Sequence, residues 1–463
     1  MSDKSLIKTI LGFSFGTWIS AAISFFTIPL ITYFVLPEDF GKASLFIVFS
    51  SIMQLVCLAG TDQSFFRQYH EKPLESRNAL LWECLLPSLF YWISLSFLLA
   101  LFWRHISAFI LGEETFLGFI LLPLTVLFSI VNVFGDIGLR MRKRYFAFTL
   151  VKVVSVSTNA FATILYARFV SRDFYAPIFG ILISGVLCSV LYIVLDHRSW
   201  TPGKVTMESS LRLLRFGYPF LINSIIIWIN TVIDKLSLRW FSTFEEIGIY
   251  TAAFKLVSAF NILRDGFLNS WWPIAYERYK QDPQDTTLYS SMVRNISLVF
   301  ISSGLLMIIF KKPFFSILGD SYHNAEYVAP FLIVGVVFST ISEITVVGIN
   351  FKLRTKWHPV IASISLLSNL SLNLILVPMF GARGAAVSTG VSYVVFLYVR
   401  TAISQRLYPV DYSMKRLGIA VSIMLSAAFA NTFLENNLLQ LLIALTGLAA
   451  VLLLFRSVCF WQR

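Results

Sequence analysis

The sequence predicts an all-α polytopic membrane protein with about fourteen transmembrane helices, and three observations support this fold class. Apolar residues occupy 57% of the 463 positions, and charged residues occupy only 13%. In a typical soluble domain about 45–50% of the residues are apolar and about 25% are charged. Aromatic residues reach 16%. The apolar residues also form long uninterrupted runs. A water-soluble enzyme cannot bury that much apolar surface, so soluble enzymes, disordered chains and secreted disulfide scaffolds are excluded.

Fourteen apolar runs are long enough to cross the roughly 30 Å hydrocarbon core of a bilayer, which takes roughly 20 helical residues. Their predicted bounds are 10–34, 43–62, 80–103, 115–136, 147–168, 175–195, 214–240, 246–270, 291–310, 327–350, 359–380, 384–405, 414–433 and 437–456. The runs are continuous, which excludes the alternating strands of a membrane barrel. Lys4 and Lys8 precede the first run and no small-residue cleavage site follows it. We therefore expect a retained helix there and no signal peptide.

The distribution of basic residues predicts the orientation of these spans. With the N-terminus in the cytoplasm, most of the 37 Lys and Arg residues lie in cytoplasmic segments, as the positive-inside rule requires. The outer segments then hold only Lys42, Arg104, Arg168, Arg172, Lys311, Lys312 and Arg383. The sequence therefore predicts that both termini are cytoplasmic. The cytoplasmic loops also account for the net charge of +12, so we expect no nucleic-acid partner.

An internal repeat divides the chain. The basic segment Arg140–Tyr145 follows span four, and Lys352–Trp357 follows span ten, with three basic positions and the final aromatic residue coinciding. A repeat of six helices gives both halves the same orientation, as in transporters that rock two bundles around a central site. We predict an N-terminal lobe at 1–200, a C-terminal lobe at 201–406, and two additional spans at 407–463. Chance similarity between basic loops is the alternative explanation.

Several predicted spans carry polar or charged residues at helical spacing, which places those residues on one face of each helix. A Lys or Asp at mid-bilayer costs about 2.5–3.5 kcal/mol on insertion scales, so such groups normally face a partner or a wet cavity. The candidate cavity residues are Arg67 after span two, Lys152 and Asn159 in span five, Asp234 and Lys235 in span seven, and Lys255, Arg264 and Asp265 in span eight. Near the ends of spans, snorkelling to the headgroups is the alternative for a basic side chain.

Glu343 stands alone among Ile, Thr and Val residues in span ten. An isolated carboxyl inside the membrane is a candidate for proton or ion coupling. A satisfied helix–helix contact is the alternative.

Enzymatic motifs are absent from the sequence. It has no Gly-Lys-Ser/Thr phosphate loop and no paired-acid, Ser-His or metal-spaced cluster, and its 5 histidines are isolated near span ends. No loop is long enough to form a catalytic domain. The cysteines lie in or beside apolar runs without paired spacing, which is typical of core residues. These are Cys57, Cys84, Cys188 and Cys459. The sequence thus predicts a protein that is not an enzyme and has no cofactor and no metal site.

Five short motifs of the sequence match the pattern of one known family. They include the proline-acid-aromatic-glycine loop Leu36–Gly41, Arg67 after span two, and the acid–base pair Asp234-Lys235 in span seven. The other two are the glycine-aromatic start of span eight, Gly248–Tyr250, and the small-residue start of span twelve, Gly381–Ala386. These motifs resemble those of the oligosaccharide (Wzx-type) flippases of the multidrug/oligosaccharidyl-lipid/polysaccharide exporter superfamily, although Arg is commoner than Lys at the second position of the family's acid–base pair.

This resemblance implies a flippase of the bacterial inner membrane. Its cargo would be a polyprenyl-pyrophosphate-linked oligosaccharide for O-antigen, capsule or exopolysaccharide biosynthesis, moved by alternating access between the two lobes. Its partners would be that substrate, membrane lipids and other polysaccharide-assembly proteins. The cations implied to hold the pyrophosphate or acidic sugars are Lys152, Lys235, Lys255 and Arg264, with Asp234 and Asp265 pairing or tuning them. The alternatives are a small-molecule or drug exporter of the same superfamily and a membrane glycan polymerase or ligase.

Overall fold

A computed structural model describes residues 3–73 and 76–456, and within these ranges it describes side chains from residue 18 onward. The predicted core residue Cys459 lies outside the described residues, as do the side chains of Lys4 and Lys8. Within the described ranges the chain forms α-helices joined by short connections, with no strand.

Eighteen α-helices are present in the described part of the chain. They are α1 (Asp3–Phe34), α2 (Pro37–Leu58), α3 (Thr61–Gln68), α4 (Arg77–Ala100), α5 (Trp103–Leu111), α6 (Phe116–Met141), α7 (Tyr145–Phe169), α8 (Tyr175–Leu195), α9 (Met207–Phe241), α10 (Phe244–Ser258), α11 (Phe260–Gln281), α12 (Thr287–Ile309), α13 (Lys311–Phe315), α14 (Ala325–Thr345), α15 (Val347–Phe351), α16 (Trp357–Leu407), α17 (Met414–Phe433) and α18 (Asn437–Leu454).

In the described part of the chain, twelve helical segments are long and apolar enough to cross a membrane. Two of these segments consist of consecutive helices, α10 with α11 and α14 with α15. The first helix, α1, has 32 residues and is apolar over Trp18–Phe34. Helix α16 has 51 residues, which at about 1.5 Å per residue is more than twice the roughly 30 Å hydrocarbon core. It therefore accounts for two crossings. The prediction of an all-α polytopic membrane protein with about fourteen spans is confirmed.

Helix α16 reverses direction at Gly381. This residue has φ 55° and ψ −129°, outside the helical region and in the half of the backbone map that glycine tolerates best. The Ala382 N–H donates to Oε2 of Glu246 over 2.7 Å. The two arms then lie side by side, because Ser365 Oγ of the first arm donates to the Ser392 carbonyl of the second over 3.2 Å. The predicted boundary between spans eleven and twelve falls at this reversal.

The start of α2 differs from the expectation. The predicted spans 10–34 and 43–62 make Leu36–Gly41 the link between them, but Pro37 already takes the first helical position after an extended Leu36. Proline is well suited to that position because its missing N–H would have no helical partner there. Glu38 and Asp39 lie in the first turn, where their negative charges interact favourably with the positive end of the helix dipole. The motif is therefore the first turn of a helix.

The helices form two compact units, Met1–Ile233 and Asp234–Arg463. In the first unit, α2 packs against α4 and α6, and α8 packs against α6 and α7. In the second unit, α14 is almost wholly buried and packs against α10, α12, α16 and α17. The boundary lies inside α9. Three cysteines, Cys57, Cys84 and Cys188, are buried and free, as expected for core residues.

Candidate functional site

A polar cavity of about 220 Å³ lies inside the first unit, among α2, α6, α7 and α8. Its lining residues are Gln54, Ser129, Asn132, Val133, Asp136, Val151, Lys152, Ser155, Cys188 and Tyr192. Amides, hydroxyls and charged groups outnumber the apolar groups. They can exchange hydrogen bonds with a hydroxyl-rich ligand, because each amide and hydroxyl both donates and accepts.

Lys152, a candidate from the sequence, lines this cavity. Its ammonium lies 3.0 Å from Oδ1 of Asp136, while Arg140 approaches Oδ2 of the same carboxylate at 3.1 Å. The Tyr192 hydroxyl also donates to Oδ1 over 3.2 Å. Two cations share one carboxylate, so the cluster keeps a net positive charge. Lys152 is 40% exposed, and Asp136 holds its charged end at the cavity wall.

A second cavity, of about 280 Å³, lies among α2, α3, α6 and the part of α9 that belongs to the same unit. Gln54 and Val133 line both cavities. The second cavity also has a polar wall, in which Trp228 Nε1 donates to Ser51 Oγ over 2.8 Å. The two cavities thus share Gln54 and Val133 in their walls, and together they are called the polar region of the first unit below.

Two other candidates of the first unit lie elsewhere. Asn159 lies where α7 packs on α8: Thr163 Oγ1 donates to its carbonyl over 2.8 Å, and a Cβ at Gly180 would come within 2.8 Å of that carbonyl. Arg67 lies on the surface of α3 with its side chain 63% exposed and paired with Glu71, one turn further on. The structure therefore places neither side chain among the residues that line the two cavities.

Asp234 is the centre of a polar cluster in the second unit. Its buried carboxylate accepts from the Tyr250 hydroxyl over 2.8 Å, from Thr389 Oγ1 over 2.7 Å, and from the amides of Asn373 and Asn369 over 2.8 and 3.2 Å. These four donors are all neutral and come from α10 and from both arms of α16. The amide carbonyl oxygen of Asn373, its Oδ1, is buried and has no partner in the described structure.

Lys235 and Lys255 are brought together in the second unit. Lys235 lies within electrostatic range of both Lys255 and Asp234, although it is on α9 and Lys255 is on α10. Arg264 and Asp265 form a neighbouring pair on α11, with 2.9 Å between Arg264 Nη2 and Asp265 Oδ1 and side chains 30% and 54% exposed. Four of the predicted residues of this unit thus fall into two pairs, one in the interior and one nearer its surface.

Glu343 has an ionic partner. Its Oε1 lies 2.7 Å from Nη1 of Arg400 on the second arm of α16, and the same nitrogen donates to Ser342 Oγ over 3.1 Å. The side chain of Arg400 is 8% exposed and that of Glu343 31% exposed. A satisfied helix–helix contact is the alternative to ion coupling at this position, and the ion pair with Arg400 has the geometry of such a contact.

The second unit also contains a mainly apolar groove between its last two helices. This groove of about 850 Å³ runs between α17 and α18, lined mainly by Ile, Gly and Ala with a few hydroxyls. Within the described residues, no group of three or more His, Cys, Asp or Glu side chains could hold a metal ion.

Sequence reasoning missed two partners, Asp136 and Arg400, as members of the site. Both lie near predicted span ends, where a charged residue is easily attributed to a loop or to snorkelling. The signal that identifies Asp136 is that it precedes Arg140 by one helical turn, so that one face of α6 carries both charges.

Comparisons with known proteins place this architecture in a family. The model of a family described as polysaccharide biosynthesis protein matches residues 6–275, more than half of the chain. No curated protein sequence matches the chain.

Solved structures share the fold. The lipid II flippase MurJ in an inward closed conformation superimposes with a TM-score of 0.71 at 18% identity, over 96% of this chain and 99% of that one. An inward-facing multidrug resistance MATE family transporter of the MOP superfamily gives 0.60 at 13% identity, over 84% and 94% of the two chains. At such identities the likeness shows the fold alone. By the match to its model over more than half of its length, the chain belongs to the polysaccharide biosynthesis protein family.

Proposed function

We propose that this protein is a flippase that moves a polyprenyl-pyrophosphate-linked oligosaccharide repeat unit across the bacterial inner membrane. The product would serve the biosynthesis of a surface polysaccharide such as O-antigen, capsule or exopolysaccharide. Family membership and the flippase fold support a lipid-linked cargo. In this proposal the two lobes alternate in access, the sugar travels in the polar interior, and the lipid tail stays in the bilayer.

The observation that carries the proposal is the polar region inside the first unit. Moving a sugar through hydrocarbon strips its hydroxyls of water, and each unpaired hydroxyl then costs roughly 2–7 kcal/mol, depending on the reference state. The amides of Gln54 and Asn132 and the hydroxyls of Ser129 and Ser155 line the cavity and can replace that water. An apolar drug would not need such a lining.

The cations of the interior suit an anionic headgroup. The cluster of Lys152, Arg140 and Asp136 keeps a net positive charge at the cavity. In the second unit, Lys235 and Lys255 lie within electrostatic range of each other. Two like charges in a membrane interior repel, and an anion between them would relieve that repulsion. We propose that these lysines, together with Arg264, bind the pyrophosphate or acidic sugars.

Asp234 is a second candidate for ion coupling beside Glu343. Glu343 already has Arg400 as a partner, so its charge is balanced locally. Asp234 is buried, the four hydrogen-bond donors described above are neutral, and Lys235 lies within electrostatic range of its carboxylate. Binding of a proton or a metal cation would neutralise this buried carboxylate and so lower its desolvation cost.

A drug exporter of the same superfamily is the second candidate function. The fold likeness to a multidrug resistance transporter favours it. The net positive clusters of the interior argue against the cationic drugs that such an exporter would carry. A membrane polymerase or ligase is a third, weaker alternative, because every connection in the described structure is short.

Deletion of the gene in its native host tests the proposal. Lipid-linked oligosaccharide is extracted, and a membrane-impermeant sugar oxidase applied to spheroplasts reports which leaflet holds it. We expect accumulated material that is protected from the enzyme and therefore faces the cytoplasm. Accumulated material that the enzyme reaches would instead indicate a polymerase or ligase. Intact surface glycan without accumulation would move the assignment to the drug exporter.

A further inference from the structure

A small basic pocket lies at one end of the second unit, away from the residues discussed above. It has a volume of about 30 Å³ and opens where α12 and α17 begin and α18 ends. Its lining residues are Ser290, Val293, Arg294, Ser297, Tyr412, Ser413, Arg416, Leu417 and Phe455. Two arginines and three serines thus surround a space about the size of one water molecule or one phosphate oxygen.

Two polar side-chain atoms of the pocket are buried without partners. The hydroxyl of Ser297 is buried, with the residue 1% exposed, and has no hydrogen-bond partner in the described structure. Nε of Arg294 is likewise buried and unpartnered. Buried polar groups are almost always satisfied, and each one left unsatisfied costs about 1–3 kcal/mol. Their orphan state inside a cavity indicates that a further group completes the site.

The missing group carries negative charge. Arg294 and Arg416 form no ion pair within the described part of the chain. The pocket also lies at the start of α17, whose 20 residues give a full helix dipole with its positive end at the pocket. Ser413 at this start has φ 49°, a left-handed conformation that is costly for serine. The Asp411 side chain is exposed, and its carboxylate accepts the Ser413 N–H over 2.8 Å.

The sequence spacing supports a built site. Ser290, Arg294 and Ser297 follow at intervals of four and three residues along α12, so they share one helix face. That face meets the start of α17 through the Ser290 hydroxyl, which donates to the Asp411 carbonyl. The pocket lies at the membrane face that the loop charges predict as cytoplasmic.

We propose that this pocket binds a phosphate oxyanion, carried by the headgroup of an anionic phospholipid in the adjacent leaflet. One phosphate oxygen enters the pocket and accepts from Ser297 and Arg294. The exposed side chain of Arg416 contacts the rest of the headgroup at the surface. The site is separate from the proposed cargo path and does not depend on what the protein transports.

Lipid binding by the purified full chain tests this proposal. Native mass spectrometry compares dioleoyl phosphatidylglycerol with dioleoyl phosphatidylcholine, and sodium phosphate is the free-anion probe, read by the shift in melting temperature. We expect the wild type to retain phosphatidylglycerol about tenfold better than phosphatidylcholine. The double variant Arg294→Gln with Arg416→Gln should lose that preference. Arg406→Gln, an exposed change at the same membrane face, should keep it.

Ser297→Ala is the second variant, since it removes only the orphan hydroxyl and no charge. It should weaken phosphatidylglycerol retention severalfold without lowering the melting temperature in lipid-free detergent. If sodium phosphate stabilises the wild type as strongly as phosphatidylglycerol, and both variants lose the effect, the site takes free phosphate. An unchanged lipid preference in the double variant would overturn the proposal. So would a wild type that responds to neither probe, because the pocket would then hold water only.

Discussion

Lys152 is the residue whose role in the first-unit cavity is easiest to isolate. Its carboxylate partner Asp136 also has Arg140 and Tyr192 as partners, so loss of the lysine charge leaves no orphaned anion. Lys152→Gln should therefore fold normally but bind an anionic cargo less well. We expect transport to fall about tenfold, the equivalent of one charge-assisted hydrogen bond. Accumulated lipid-linked oligosaccharide per unit of membrane protein is the measurement.

A matched control and a charge exchange separate cargo binding from local structure. Arg212→Gln removes one positive charge from an exposed side chain of the same unit and should leave transport within twofold. The exchange of Asp136→Lys with Lys152→Asp keeps the ion pair but moves the cation. If the exchanged protein transports normally, the lysine serves the fold and not the cargo.

Asp234 allows a test of coupling at the residue scale. Asp234→Asn keeps the size of the side chain. It replaces one of the two carboxylate oxygens that accept hydrogen bonds from the four donors with an NH2 group, which cannot accept them. We expect a loss of about 1–3 kcal/mol of stability and transport that no longer responds to an imposed sodium or proton gradient. Melting in detergent and transport in vesicles of defined gradients are the measurements. Asp320→Asn, an exposed change in the same unit, is the control. Gradient-dependent transport in Asp234→Asn would exclude Asp234 as the coupling group.

At the scale of elements, the packing of α9 on the end of α2 depends on two glycines. Gly60 has φ +78°, and a Cβ on Gly217 would lie 2.4 Å from the Gly60 carbonyl oxygen. Ser64 Oγ also donates to the Leu213 carbonyl over 2.7 Å at this crossing. Gly217→Val should force α9 away and destabilise the first unit by about 1–3 kcal/mol. We expect the Gly217→Val protein to melt at a lower temperature than the wild type. A cysteine placed at position 64 by Ser64→Cys should also be alkylated faster in the Gly217→Val protein.

Gly266 provides the matched control for that experiment. A Cβ at Gly266 on α11 meets nothing within 4 Å, so Gly266→Val adds the same side chain to open space. We expect its melting temperature to stay close to that of the wild type. Equal destabilisation by both variants would mean that valine itself, and not the crossing, is responsible.

The connection between α11 and α12 contains a pH-sensitive cap. Hydrogen bonds from the Thr287 hydroxyl and N–H, and from Arg278, lower the pKa of Asp285 from its ordinary 3.8 to about 2. A depressed pKa in the folded state stabilises the cap above pH 3.8, and this stabilisation is lost as the pH falls through about 2. Asp285→Asn should therefore lower the amide protection of residues 285–290 at pH 6. The difference from wild type should shrink towards pH 2, after correction for intrinsic exchange. A constant difference across that range would contradict this assignment.

The outcome for individual elements shows what the sequence encodes locally. Membrane spans are set by the length of apolar runs, so α12, α17 and α18 begin and end within a few residues of their predicted bounds. The two partners Asp136 and Arg400 could not be assigned, because pairing across helices depends on how α6 meets α7 and how α14 meets α16. Periodicity on a single helix contains no information about that rotation.

For the whole molecule, the orientation in the membrane is the prediction with the widest consequences. Helices α14 and α15 form one membrane-spanning segment of 27 residues, so the connections before and after it lie on opposite sides. Ser316 precedes this segment and Thr355 follows it, and both are exposed. The positive-inside rule places Ser316 outside and Thr355 in the cytoplasm.

Single cysteines at these two positions test the orientation. In a variant with its own cysteines replaced by alanine, Ser316→Cys should react with a membrane-impermeant maleimide in intact spheroplasts. Thr355→Cys should react only after the membrane is opened. The reverse pattern would mean that the protein has the opposite orientation in the membrane. The basic pocket of the second unit would then face the outer leaflet. Both positions lie in connections and so leave the helices unchanged, which means that either result reports orientation and not misfolding.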